Sequence, residues 1–442
     1  MNILRCSLSR RRLGVGAAVV LYLFLAPAFG RAETLTLNLE QARALAERGN
    51  PVLRQAMAER EAIEGRRQDA QALLYNNPTV FTELARRRAP GTRNGEWTLG
   101  IEQPIELAGQ PRLRRAAVDN DLAAQRASVE SLRRSLMAEV DRRFLNIQAV
   151  LARLRTEEEA LELIERSAAI VRSRVAAGED TRLEGNLAEV EVGRMRNQLD
   201  RLRESLVRAQ SELGTLLQLP SGTVPITTGE LAVTRRNYVL ATLIETGQSR
   251  PALTALAHRE DAERSRLELE RALRYPDLTI GFMTAREGAS PERETIAGLT
   301  FSLPLPLFRR NAEGIGRAYA DLSTTRIERS AAKRNIVADI TALWEQLSQL
   351  AARRERLNAA VLPPLKENMR LAQISYQTGE ISISELLLAN RQVVEARRDV
   401  IDATLEHELT RVALEEAAGW PYEIPSVTSH GEIPRQPSGT EQ

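Results

Sequence analysis

Two places in this chain set a glycine, a short hydroxyl and an acid at one spacing: Gly178, Thr181 and Glu184, then Gly379, Ser382 and Glu385. The chemistry of these types is conformational before it is reactive. Glycine adopts the left-handed backbone that ends a helix, a hydroxyl three residues on caps the next helix, and an acid in the first turn meets its favourable dipole end. Residue types that do catalysis or hold metals are not arranged for it. His258, His407 and His430 are far apart and lack partners three or four residues away, and His407 falls on an apolar helical seam that suits core packing or an interhelical hydrogen bond. The six methionines form no paired thioether motif, and Cys6 is the sole cysteine, which leaves no disulfide framework and no thiolate site. Gly14-x-Gly16 lies in an apolar leader, not between a strand and a helix. No nucleophile–base pair stands out from the many acids of helix surfaces. The chain reads as a non-enzyme with no cofactor and no resident metal.

The elements that must position the two turns come from a duplication. Asn50-Pro51 returns as Arg250-Pro251, Asn77-Pro78 as Tyr275-Pro276, Gln103-Pro104-Ile105 as Leu303-Pro304-Leu305, and Val175 to Glu179 as Tyr376 to Glu380. The offsets of 200, 198, 200 and 201 define a repeat. The first occupies residues 33–220 and the second 238–420, with a Pro/Gly/Thr-rich linker over 221–237.

Each repeat has the same grammar. A helical stretch comes first, over 39–75 and 239–274. Two alternating segments follow, 79–87 and 96–106 in the first repeat, 277–286 and 295–305 in the second. Trp97, Leu99 and Ile101 share one face, with Thr98, Gly100 and Glu102 on the other, and Leu278, Ile280 and Phe282 alternate with Thr279, Gly281 and Met283. Period two predicts strands. Apolar on one face and small or polar on the other suits a lipid-facing barrel with a wet lumen, or a half-buried soluble hairpin. A very long helix follows each hairpin, over 112–175 and 311–376. Ile147, Leu154, Leu161, Ala168 and Val175 step by seven, as do Ile336, Leu343, Leu350 and Leu357. This is a coiled-coil stripe on helices roughly 95–100 Å long, the second kinked at Pro363-Pro364. Returning helices follow over 182–217 and 382–418.

Residues 1–32 carry a basic start, an apolar run from Leu13 to Leu25, Pro27, and small residues at Gly30 and Ala32. This predicts a cleaved secretory signal, and without a cysteine after the apolar run it predicts no lipid anchor. The formal charge of +2 hides arginines spent in that leader, so the mature chain is slightly acidic. Interspersed charge of this kind excludes a nucleic-acid footprint, and a single strongly apolar stretch excludes a polytopic helical membrane protein. Residues 421–442, rich in Pro, Gly and Ser, read as a disordered tail.

Four strands cannot close a barrel, and a lipid-facing sheet edge is forbidden, so subunits must complete it. Three copies give 12 strands, inside the range of known barrels, whereas two give eight, which side chains fill. The expected fold class is mostly α with a membrane β-barrel: internally duplicated, a trimeric 12-stranded barrel continued by a coiled-coil α-barrel.

The chain also resembles the TolC-like outer-membrane factors, over residues 35–420. The specific signal is Tyr376-x-x-Gly379-x-x-Ser382-x-x-Glu385-Leu386-Leu387-x-Ala389-x-Arg391, with its counterpart from Gly178 to Ala188, in a form most like the CzcC-like cobalt–zinc–cadmium branch. The resemblance implies a homotrimeric passive duct in the outer membrane of a Gram-negative bacterium, extending into the periplasm. It further implies docking to a periplasmic adaptor through the helix-tip turns at Gly178, Thr181, Gly379 and Ser382, an inner-membrane RND transporter as pump, and divalent heavy-metal cations as cargo. The same duct serving multidrug efflux or type I protein secretion is the alternative, and a periplasmic coiled-coil scaffold without a pore is another. In the family, acids on the tips line the mouth. Glu385 and Glu184 match them, giving three protomers six carboxylates that attract cations and store repulsion that protonation or an adaptor relieves. Leu388 replaces the family's frequent second acid. Tyr376 serves either tip packing or a gate-latching hydrogen bond.

Overall fold

A computed structural model describes residues 33–89, 92–288 and 293–420. The expected signal (with Cys6), the C-terminal tail (with His430), and the turn residues 90–91 and 289–292 lie outside the described residues.

The expected opening helices are each split. α1 (Leu39–Gly49) and α2 (Pro51–Gln71) meet at Asn50, and α5 (Leu240–Gln248) and α6 (Pro251–Ala272) meet at Ser249-Arg250. Pro51 and Pro251 lack the N–H needed to continue a helix but suit its first position. Asn50 ends α1 and then caps α2, its side chain accepting from Val52 N and Leu53 N at 3.0 and 3.2 Å. The linker is not free of structure. β4 (Thr223–Thr227) lies within it and pairs in parallel with β1 (Glu33–Leu37).

The hairpins are β2 (Thr79–Ala89) with β3 (Thr92–Ile105), and β5 (Leu278–Glu287) with β6 (Glu294–Ser302). The first runs further than expected, because residues 92–95 pair with 86–89. β6 stops at Ser302, short of the expected Leu305, ahead of Pro304 and Pro306, which have no N–H for a ladder. One antiparallel sheet results, in the order β2-β3-β5-β6, so the two repeats join at β3–β5 and β2 and β6 are its edges. Side chains sort into rows across it. Val80, Ile101, Phe282 and Leu299 form one row, and Gln103, Ile280 and Phe301 another. On this face Leu84, Leu299 and Phe301 are 81%, 69% and 67% exposed. From Ile105 to Trp97 the apolar rows span about 27 Å of strand, or roughly 20 Å after the tilt of a barrel strand, near the apolar band of ~25 Å that lipid requires. Phe81 lies over Gly100 on the opposite face, where an added Cβ would sit 2.4 Å from its ring.

α3 (Gln110–Ala177), at 68 residues, is about 100 Å long. It packs along α6, α4 (Arg182–Leu216) and α9 (Ile383–Ala417). α7 (Ala312–Arg356) passes through one π turn, Leu357–Val361, into α8 (Leu362–Gln377). Where a proline kink is expected the helix shows this π turn: Pro363 and Pro364 cannot donate to the preceding turn, and the backbone widens to i→i+5 bonds just ahead of them. The heptad seams are buried, with Ile147, Ala168, Ile336, Ile340 and Leu386 inside. No helix among the described residues is long and apolar enough to cross a membrane.

Midway along the bundle a charged network ties the linker to α9. Glu408 accepts from Thr234 N at 3.1 Å and Arg411 at 2.8 Å, and lies 3.0 Å from His407 Nδ1. Glu415 accepts from Arg236 and Arg411, each at 2.8–2.9 Å, and from the Tyr238 hydroxyl. His407 is therefore a core residue, as its seam position predicts. Burial pushes Glu408 up, but the His407 hydrogen bond and the Arg411 charge outweigh it and hold the carboxylate below its ordinary value. A carboxylate so depressed stabilises the fold above the unfolded-state value and loses that contribution as pH falls through it. Glu408→Gln is expected to cost about 1–3 kcal/mol at pH 7, leaving Arg411 short of a partner. The deficit should shrink as pH falls below 4.5, the ordinary value. Denaturation followed by circular dichroism across pH 3–7 checks this, and a pH-independent deficit contradicts the charge account.

Candidate functional site at the helix tips

Both reversals are built alike. Gly178 and Gly379 take φ of 78° and 77°, the left-handed region that glycine occupies without a Cβ penalty. Each is followed by a return bond across the helix end, Glu179 N to Arg174 O at 2.9 Å and Glu380 N to Ser375 O at 2.8 Å. This is the Schellman closure.

Thr181 and Ser382 then cap α4 and α9, as expected, and Glu184 and Glu385 complete reciprocal capping boxes. Glu184 N donates to Thr181 Oγ1 at 3.3 Å, while Glu184 Oε2 accepts from Thr181 N at 3.0 Å. Glu385 Oε2 accepts from Ser382 N at 2.9 Å and from its hydroxyl at 3.0 Å. The backbone N–H of Ser382, and then its hydroxyl, hold the Glu385 carboxyl below the usual range. Both acids are thus fixed at helix starts, one oxygen of each engaged in the cap, Glu385 exposed and Glu184 half-buried.

Tyr376 is buried in the core that all four tip helices share, with Ile164 and Val171 of α3, Val192 of α4, and Leu386 and Val393 of α9. Its hydroxyl has no hydrogen-bond partner among the described residues. Burial raises its pKa, and the charge of Asp180 adds to that. Tip packing is therefore what Tyr376 does within one chain. The Arg174 guanidinium stands 5.9 Å from the centre of its ring and pairs with Asp180 at 3.1 Å. Arg391 of the tip motif reaches Glu191 of α4 at 3.2 Å, linking the two hairpins.

The Arg174–Asp180 pair escaped sequence reasoning. Its signal was a difference in character between the tips, since the duplication sets Ser375 opposite Arg174 and Ile381 opposite Asp180. Exposed apolar residues at the tips also escaped it: Leu183, Leu187 and Val190 on one face of α4, and Leu371, Ile374 and Leu388 on α8 and α9. Among the described residues no group of three or more His, Cys, Asp or Glu is placed to hold a metal ion.

Comparison with known proteins gives this geometry its relatives. The Outer membrane efflux protein family matches residues 42–217 and 243–420, one stretch in each repeat. The cobalt-zinc-cadmium resistance protein CzcC of Cupriavidus metallidurans is 25% identical over 371 residues, covering 84% of this chain and 87% of that protein. The cation efflux system protein CusC of Escherichia coli K12 is 24% identical over 342 residues, 73% of each. The solved CmeC outer membrane channel of Campylobacter jejuni superposes with a TM-score of 0.74 at 16% identity, covering 88% of this chain and 87% of that one. With both repeats matched and the fold shared, the chain belongs to the outer membrane efflux protein family.

Proposed function

We propose that three copies of this chain close a 12-stranded barrel in the outer membrane and continue it as a helical duct through the periplasm, a passive exit for divalent heavy-metal cations. The observation that carries the reading is the four-stranded sheet with apolar rows on one face and two open edges. Antiparallel order lets β6 of one copy pair with β2 of the next, and closure satisfies every edge N–H and C=O that lipid would strand. Exposed apolar side chains on α7, Tyr319 and Ile327, and on α2, Val52 and Met57, suit burial against sister subunits.

Cation cargo is favoured by the charge of the other face. Glu83, Glu96, Glu102, Glu287 and Glu294 all lie on it, with Arg87 as its described cation. A wall of this sign concentrates cations and repels anions. At the far end, Glu184 and Glu385 from three copies give the mouth six carboxylates. The relatives CzcC, a cobalt-zinc-cadmium resistance protein, and CusC, a cation efflux system protein, supply the metal class. The exposed apolar residues at the tips form the surface for a periplasmic adaptor, which couples the duct to an inner-membrane RND transporter.

Outer membranes should yield a detergent-stable trimer that conducts ions in planar bilayers. A soluble periplasmic monomer without conductance would reject the duct. A deletion strain should lose tolerance to cobalt, zinc or cadmium several-fold, and unchanged metal tolerance with raised drug sensitivity would reassign the cargo.

The mouth is tested separately by Glu184→Gln with Glu385→Gln. Glutamine also completes a capping box, so the tips keep their shape. Cation selectivity and block by divalent cations should weaken in the double variant. Unchanged selectivity and block would show that these acids act only as caps.

A further inference from the structure

The barrel strands sort charge with unusual strictness. Every acid of β2, β3, β5 and β6 lies on the inward face, and none lies in the apolar rows. Arg86, Arg88 and Arg286 do lie in the outward rows, all at the hairpin end, furthest from the helices. Arg286 sits directly across from Trp97, which sits across from Leu84, so the apolar belt passes into arginine within one or two residue pairs.

The inward and outward arginines differ in partners. Arg87 points inward and is neutralised by Glu96 at 2.9 Å, with Glu287 at 3.7 Å. Arg86, Arg88 and Arg286 are exposed and make no hydrogen bond or ion pair among the described residues. Three guanidiniums without an anion among the described residues lie just beyond an apolar belt, which in the proposed orientation is headgroup height. Guanidinium forks match phosphate oxygens bidentately. An anionic surface strengthens attachment with each basic residue held against it.

We infer that this rim is a binding site for phosphorylated glycolipid of the outer leaflet, with its phosphates on Arg86, Arg88 and Arg286 and its acyl chains on the row from Leu84 to Trp97. The inference rests on the outer-membrane orientation above, in which the hairpin ends face the cell exterior. The occupant is a lipid and not a free anion, because the arginines continue an apolar surface and do not line a pocket.

The test uses the purified full-length assembly in detergent, titrated with deep-rough lipopolysaccharide. The triple variant R86Q/R88Q/R286Q should bind it at least about tenfold more weakly, as three lost headgroup contacts imply. Arg87→Gln, the inward control, should stay within about twofold. Dephosphorylated lipid should bind wild type as weakly as the intact glycolipid binds the triple variant. Millimolar inorganic phosphate should not displace the glycolipid.

Equal binding by the triple variant, an equal loss in Arg87→Gln, or displacement by inorganic phosphate alone would overturn the inference. Should the glutamine variant fail to assemble, the R86K/R88K/R286K variant keeps the charges and must retain binding, and its loss of binding would equally overturn it. Conductance in phosphatidylcholine bilayers separates this from the duct. A conducting assembly whose triple variant binds glycolipid unchanged refutes the rim alone. A wild type that binds glycolipid without conducting refutes the duct alone.

Discussion

An unpaired strand edge in hydrocarbon leaves a row of N–H and C=O groups with no water to turn to, and each costs several kcal/mol. This constraint governs the molecule. The sheet ends at β2 and β6, its outward rows are too apolar for water, and no strand among the described residues pairs with either edge. A single copy is therefore an incomplete object in a membrane. The order β2-β3-β5-β6 makes completion simple, because four alternating strands present edges of opposite direction that join without a parallel pair.

The helices answer a second constraint, which is length. A 68-residue helix has little stability of its own beyond packing, and α3 is held by partners along its whole course. The repeats supply those partners in register. At the midpoint the buried Glu408–Arg411–Glu415 network fastens the linker across α9. At the tip one apolar core serves both hairpins, and ion pairs cross between them. Rigid turns at Gly178 and Gly379 and the caps that follow hold Glu184 and Glu385 at fixed positions.

The candidate site is economical in its residues. Glu184 and Glu385 finish the caps of two helices, and in the proposed duct the same residues supply charge at its mouth. The capping box was present in the sequence as a hydroxyl followed three residues later by Glu, although cap and acid were read there as separate features. Tyr376 followed a different course. Its sequence position allowed a latch or a packing role, and within one chain it packs, its hydroxyl buried without a partner.

What the sequence determined by itself were the periodic features. Period two marked the strands and their faces, period seven marked the long helices, and four landmarks at one offset marked the duplication. Each is a local regularity, legible because a β-strand or an α-helix imposes its own repeat on any side chain that must be buried. Tertiary structure decided what depends on partners distant in the chain. β1 found β4 some 190 residues away, Arg174 found Tyr376 and Arg391 found Glu191 across the two hairpins, and the split at Asn50-Pro51 set α1 and α2 against different parts of α3. Parallel pairing and ion pairs between hairpins leave no periodic trace, because their energy comes from proximity that only the completed fold creates.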